Sequence, residues 1–313
     1  MDGLLINSED AYTHVTNTIL RENGRPDLPW SIKAQLQGRP GPASGKILHQ
    51  WAKLPISNEE YLKRQVELQA EAFKHCQPLP GVEDLLQRLS GAYTRIPSGG
   101  RSPDRGAKRV RLAVATSSHR RNYELKTAAL KHMFSVFPPH HIIVGDDERI
   151  PRGRGKPLPD IYLLALKTIN ETIHADGDGE RLIEPEECLV LEDSVPGVEA
   201  ARRAGMRVVW CPHPGLLEVY QGREAEVLAG RTGEHKEDDL DHISLQGVDP
   251  LPGSPGQVGE IDDGWAELLD SLESFDYVKY GIDVSDCGRR SASGQPAVDG
   301  TTDKELEDDS NGR

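Results

Sequence analysis

Cysteine is scarce, with Cys76, Cys188, Cys211 and Cys287 the only 4 in 313 residues, and no two of them stand at C-x-x-C or zinc-finger spacing. That excludes a disulfide framework and a cysteine zinc site, and makes reduced thiols in the cytoplasm the expectation. Long hydrophobic runs are also missing: nothing approaches the roughly 20 apolar residues that cross a bilayer. No charged-plus-apolar leader opens the chain, so a soluble protein without a membrane partner is expected. Basic residues are outnumbered, 37 against 51 acidic, for a net charge of −14. No basic cluster is interleaved with aromatics, so no nucleic-acid partner is expected.

The acidity is local. Residues 1–230 sum to zero and residues 231–313 carry the whole −14. The hydrophobic fraction of 36% is below that of an average globular chain, and part of the deficit lies in the same tail. The first 230 residues therefore can build a core, and the length suits one elaborated domain or two modest ones. Residues 231–262 and 284–313 read as mobile, solvated acidic segments.

Periodicity divides the remainder. Asn7 or Ser8 is a good helix cap, Glu9 and Asp10 favour a first turn, and Tyr12, Val15 and Ile19 follow at helical spacing until Gly24. Ser57 and Glu60 form a capping-box pattern ahead of the stripe Leu62, Val66, Ala70 and Phe73. With two shorter helical patterns between them, residues 9–77 read as a small helical bundle. After Pro80-Gly81 comes an amphipathic helix carrying Val82, Leu85, Leu86 and Leu89. Short apolar runs at 110–115, 142–144, 188–191 and 207–210 then alternate with helical segments. That is the α/β pattern of a doubly wound parallel sheet. Its domain comprises residues 1–8 and 78–230, with surface insertions at 97–108 and 171–186. Trp265, Leu268, Leu269, Leu272 and Phe275 recur at helical spacing, so 263–283 is expected to be a helix docked on the core.

Ligands of open α/β sheets bind at strand ends, and four polar clusters stand there: Asp2-Gly3, Thr116-Ser117-Ser118, Lys156 in GKPLPD, and Glu192-Asp193. Each alone has an ordinary structural explanation, as a turn, a helix cap, a solvated lysine or acids at a helix start. Together and in order they supply carboxylates, a hydroxyl and a cation.

The segments that carry them, MDGLLINSE, AVATSS, GKPLPDIY and VLEDSVPGVEAARRAGM, resemble the four motifs of the haloacid dehalogenase-like hydrolase superfamily, over residues 1 to about 230. Within it, VGDDERI, GKPLPDIYLLAL and SLESFDYVKYGI resemble the pseudouridine-5'-phosphatase branch. The resemblance implies a helical cap at 9–77 closing over the site, and phosphoryl transfer through an aspartyl phosphate with Mg2+ as cofactor. Asp2 would then be the acid and base, and Thr116 and Lys156 would bind the transferring phosphoryl oxygens. A nucleophilic aspartate expected ahead of Met1, the main-chain oxygen of Asp2, and Asp193 helped by Glu192 would hold the ion. Gly38 and Arg39 match a cap loop that reaches substrate in relatives, and Ser117 and Ser118 would contact the leaving group. An acid and base aspartate also argues against halide chemistry.

The chain departs from the motif at its start. The nucleophilic aspartate would stand immediately before Met1, at the end of a central apolar strand, and neither is in the sequence. The expectation is that the reading frame continues upstream; the alternative is a truncated chain that has lost activity. The expected function is a Mg2+-dependent phosphomonoesterase, a monomer, acting on a small phosphorylated metabolite. Pseudouridine 5'-phosphate or a related nucleotide or sugar phosphate is the best single candidate. A phosphosugar mutase and a non-catalytic phosphometabolite binder are the alternatives.

Overall fold

The computed structural model describes residues 1–39, 41–95, 107–177, 179–233 and 257–284. After a tight first turn the chain runs through four helices: α1 (Ser8–Glu22), α2 (Trp30–Leu36), α3 (Gly41–Ala52) and α4 (Asn58–Ala72). They enclose a small apolar core of Val15, Ile19, Leu48 and Tyr61. At the start of α4 the capping box forms, Ser57 Oγ accepting from Glu60 N and Glu60 Oε2 from Ser57 N. Asn7 behaves differently: its side chain caps nothing on α1. Its oxygen accepts instead from Gln77 N at 2.8 Å, while Asn7 N donates to Gln77 O at 3.0 Å. The two strands of chain that join the helical cap to the rest are thereby tied together.

The α4 stripe is corrected by the structure. Phe73, just past the helix, is fully buried, but Leu62 and Val66 are exposed, and both line the large cavity described below. That face looks into the cavity under the cap, and nothing among the described residues covers it.

Below the cap follow α5 (Val82–Ser90), β1 (Tyr93–Thr94), β2 (Val114–Ala115), α6 (Arg120–Thr127), α7 (Lys131–Phe134), β3 (Ile142–Ile143), α8 (Asp160–Asp176) and β4 (Leu189–Glu192). Then come α9 (Val195–Arg203), β5 (Arg207–Trp210), α10 (Pro214–Val219), α11 (Glu224–Ala229), β6 (Ala266–Leu268) and β7 (Ile282–Asp283). Strands β2 and β3 pair in parallel, β4, β5 and β6 form a second parallel group in that order, and β1 pairs antiparallel with β7.

Side chains alternate across a strand, and here the alternation feeds two cores. Val209 joins Leu85, Leu86, Phe134 and Val114 on one face, whereas Val208 and Trp210 join Leu164, Val198 and Leu216 on the other. Helices therefore cover both faces of the sheet, which is the doubly wound arrangement. The parallel ladder is divided between β2 and β4. Met1, Leu4, Leu5 and Ile6 pack in the same apolar cluster as Val114, with Leu189 and Leu191 against it.

Two further expectations are corrected. Residues 263–283 contain no helix of the expected kind: Ala266–Leu268 is the strand β6, parallel to β5, followed by a 3-10 turn at Leu272–Ser274. Unpaired backbone groups along the edge of β5 outweigh the helical spacing, with Val208 N donating to Trp265 O and Leu269 N to Trp210 O. Leu272 and Phe275 are nonetheless buried in the core. The supposed insertion at 171–186 begins late, because α8 runs to Asp176 with Ile173 buried and ends at Gly177. Residues 97–106 of the other insertion, 234–256 of the acidic insert and 285–313 of the tail lie outside the described residues. Among the described residues no helix is long and apolar enough to cross a membrane.

Candidate active site

The first turn is built for close approach. Gly3 lies at φ +64°, and a Cβ there would stand 2.3 Å from Asp193 Oδ2 and 2.8 Å from Glu9 Cγ. Only glycine lets the turn after Asp2 press against the Asp193 carboxylate.

Asp2 itself is surrounded by donors. Ser8 Oγ donates to Oδ1 at 2.6 Å, Ser118 Oγ to Oδ2 at 2.9 Å and Thr116 Oγ1 to Oδ2 at 3.2 Å. The ammonium of Lys126 pairs with Oδ1. Burial pushes the Asp2 carboxyl up, but Lys126 first, and with it the Met1 ammonium and the Ser8 hydroxyl, together reverse this and hold it below the usual carboxylate range. In this state Asp2 is an ionised acceptor.

Thr116 follows β2 directly and donates its N–H to Ile143 O of the neighbouring strand at 3.0 Å. Sheet pairing thus places its hydroxyl over Asp2. Ser117 and Ser118, expected at the leaving group, have protein partners here: Ser117 Oγ donates to Gly38 O at 3.3 Å, and Ser118 Oγ donates to Asp2.

Lys156 and Glu192 form a second buried ion pair. Tyr162 OH donates to the same Glu192 Oε1 at 2.7 Å. The other oxygen accepts from Asp193 N, Ser194 N and Ser194 Oγ at 2.9, 2.9 and 3.0 Å. Both Glu192 oxygens thus accept from protein donors, and the carboxylate holds Lys156 in place. Among the described residues no three His, Cys, Asp or Glu side chains gather into a metal-binding group.

Asp193 is differently placed. Its main-chain oxygen accepts from Trp210 Nε1 at 3.0 Å, and its Oδ2 accepts from Gln37 Nε2 at 2.6 Å. Burial, and then the neighbouring Glu192 charge, push its carboxyl well above the usual range. A buried carboxyl in that condition is short of positive charge. Gln37 is nearly as buried, at 6% exposure, and its Oε1 has no hydrogen-bond partner among the described residues. Such an orphaned oxygen costs about 1–3 kcal/mol in general.

The cap closes on this floor through Gly38. At φ +75° a Cβ there would lie 2.5 Å from Ser194 Oγ and 2.8 Å from Ser194 Cβ, so the cap loop rests on the start of α9 with no room for a side chain. Gly38 therefore seats the cap, and Arg39 beside it lines the cavity. That cavity, about 860 Å³, is floored by Asp2, Thr116, Lys156, Glu192 and Asp193 and walled by cap residues including His49 and Tyr61.

The sequence reading named the floor and missed what holds it. Lys126 belongs to no motif in the sequence, yet its side chain has no exposed surface. It donates to Ser118 Oγ at 2.6 Å and to Tyr12 OH of the cap at 3.2 Å. Its position seven residues after His119, facing inward two turns along α6, is a weak signal that a helical wheel could have raised. Gln37 adjoins the expected Gly38-Arg39 loop but has no motif of its own.

The model of the family described as haloacid dehalogenase-like hydrolase matches residues 1–205. The Saccharomyces cerevisiae protein named "Probable pseudouridine-5'-phosphatase" is 42% identical over 90% of this chain and 94% of its own length. A Drosophila melanogaster protein of the same name is 34% identical over 73% of this chain and 86% of its own. The Arabidopsis thaliana "(DL)-glycerol-3-phosphatase 2" is 32% identical over 69% and 78%. Among solved structures, CbbY from Rhodobacter sphaeroides in complex with phosphate shares the fold, with a TM-score of 0.51 at 20% identity over 88% of this chain and 92% of that one. With more than half of the chain matched by the model, and relatives above 30% identity along most of its length, this enzyme belongs to the haloacid dehalogenase-like hydrolase family.

Proposed function

We propose that the enzyme is a Mg2+-dependent phosphomonoesterase for small phosphorylated metabolites, with pseudouridine 5'-phosphate or a related nucleotide or sugar phosphate as substrate. One observation carries the reading: Asp2, Thr116, Lys156 and Asp193, from four distant stretches of chain, floor a single cavity of about 860 Å³ under the cap. That volume falls in the range of small-molecule sites. The names of the yeast and fly relatives favour the nucleotide, and that of the plant relative favours a small phosphate ester such as a glycerol phosphate.

Thr116 Oγ1 and Lys156 Nζ would bind the phosphoryl oxygens, on which negative charge collects during transfer. Glu192 and Tyr162 keep the Lys156 side chain extended into the floor. Asp193, with the main-chain oxygen of Asp2, would hold Mg2+. Two features fit a hard cation there, the charge-starved Asp193 carboxyl and the orphaned Gln37 oxygen beside it. When bound, the ion would supply positive charge against the phosphoryl oxygens.

Asp2 as found is ionised and would take a proton from an attacking water onto Oδ1 or Oδ2. Lys126 holds it below the usual carboxylate range and so weakens it as a base while that contact lasts. To act as an acid on the leaving oxygen it must first gain a proton from solvent, which Lys126 opposes, so that contact has to loosen before the leaving group departs. The closed cap would keep bulk water out while this happens, leaving only the water that reacts. In the family motif that Asp2 resembles, the attacking carboxylate stands two positions ahead of the acid and base aspartate.

The test therefore measures phosphate release from nucleotide and sugar phosphates, with and without Mg2+. It uses the 313-residue chain and the same chain extended upstream by an apolar strand ending in Phe-Asp. Mg2+-dependent release by the extended chain, abolished by Asp193→Asn, is the expected result. No release from any of these esters would overturn the proposal, and an isomer in place of free phosphate would turn it into a mutase.

A further inference from the structure

We propose that Gln37 is a cap-borne oxygen donor to the divalent cation held by Asp193, so that binding of the cation and seating of the cap reinforce one another. The inference rests on the metal site of the proposed function and adds a residue to it from the other domain.

Gln37 directly follows α2, and its side chain crosses the seam between cap and core to reach Asp193, with Nε2 2.6 Å from Oδ2. The residue is 6% exposed, and its Oε1, held in the same place by the same amide, has no partner among the described residues. The buried lysines nearby are engaged elsewhere, Lys156 with Glu192, Lys126 with Asp2 and Lys33 with Glu9.

A primary amide is suited to serve Asp193 in two states. Without a cation, its N–H donates to the carboxylate, as found. Rotating the amide by half a turn exchanges nitrogen for oxygen at nearly the same position. The group that donated to the carboxylate then offers a carbonyl oxygen to an ion beside it, and hard divalent cations accept carbonyl oxygens readily. An aliphatic side chain could do neither, and a carboxylate would repel Asp193 whenever the ion was absent.

The neighbouring residue makes this a cap device. Gly38 O accepts from Ser117 Oγ at 3.3 Å, and the bare Cα of Gly38 lies on Ser194. Gln37 can reach Asp193 only while that loop is seated, so any contact it makes with the cation stabilises the closed cap.

The experiment titrates the full 313-residue chain with Mn2+, following loss of the free-ion signal by electron paramagnetic resonance, and needs no turnover. Thermal melting with and without Mn2+ is the second readout. Gln37→Leu is expected to weaken Mn2+ binding by roughly 10-fold, the scale of a supporting contact to a metal site. Gln37→Glu is expected to tighten it, and to melt lower than the parent without Mn2+ but not with it. If Asp193→Asn abolishes binding while both Gln37 variants stay within about twofold of the parent, this inference is overturned and the metal site stands. If neither the parent nor the upstream-extended chain binds Mn2+, or both bind it equally after Asp193→Asn, the inference and the metal site both fall.

Discussion

Lys126 and Asp2 form an ion pair in which the lysine side chain has no exposed surface and the aspartate keeps 16%. The pair links α6 of the core to the turn that carries the acid and base candidate. Through Tyr12 OH, 3.2 Å from the same ammonium, it also reaches the first cap helix. Removing the cation leaves a buried carboxylate with hydroxyl partners alone, so Lys126→Met should destabilise the fold by about 3 kcal/mol. Urea denaturation at neutral pH measures it.

The same pair sets an acid limit. The Asp2 carboxyl lies below its ordinary value in the folded chain, whereas in the unfolded chain it titrates near about 3.9. As pH falls through that value the unfolded state takes up the proton first. The stabilisation is therefore present above about pH 4 and is lost as pH falls toward the folded value. Denaturation midpoints between pH 7 and pH 3 should drop less steeply for Lys126→Met than for the parent, and parallel slopes would refute the assignment.

Glu192 and Lys156, each 5% exposed in the side chain, form the second pair. Glu192→Gln keeps the shape and removes the charge, leaving a buried ammonium beside a neutral amide. We expect a loss of about 3 kcal/mol by denaturation. Inorganic phosphate should restore part of it, because an anion on Lys156 then stabilises the folded state by mass action. Equal stabilisation of parent and variant by phosphate would show that Lys156 does not face the ligand.

The doubly wound parallel sheet, the helical segments before Gln77 and the polar clusters at strand ends are legible because each depends on a local pattern: alternation, helical spacing, or a polar cluster after an apolar run. What escaped depends on partners far away in the chain. Glu192 and Asp193 are adjacent acids, and sequence offers no way to divide them. The fold does so by turning Glu192 toward Lys156 and Tyr162 and setting Asp193 against Gly3 and Gln37. The segment after Trp265 has real helical spacing, and only the open edge of β5, supplied by residues 207–210, makes it a strand. Lys126 looks like any lysine of a polar helix until Asp2, 124 residues away, is placed beside it.

Gly38 offers a steric test of the cap. A methyl group there would overlap Ser194 Oγ and Cβ, in a backbone conformation that L residues avoid. Gly38→Ala should lower the melting temperature by the equivalent of at least about 1 kcal/mol. Adding Ser194→Gly should recover part of that loss by clearing the overlap, leaving the backbone strain. An additive double variant would mean that the two residues do not meet, and that the cap rests elsewhere on the core.

Asp193 should invert the usual sign of an active-site substitution. Its carboxyl is raised well above the ordinary range in the folded chain, by burial first and then by Glu192, so the folded state holds that proton more tightly than the unfolded one. Above the unfolded value, stability falls as pH rises toward the folded value, and the ionised group is a liability at neutral pH unless a cation answers it. Asp193→Asn removes the charge at nearly constant shape. Without divalent ions it should therefore melt higher than the parent, by about 2–4 °C for each kcal/mol recovered. With Mg2+ at about 100 times its dissociation constant, the parent alone should gain about 2.7 kcal/mol and the order should reverse. Melting curves of both proteins, with Mg2+ and with a chelator, decide it: a variant less stable than the parent under both conditions would mean that Asp193 is already neutralised within the fold.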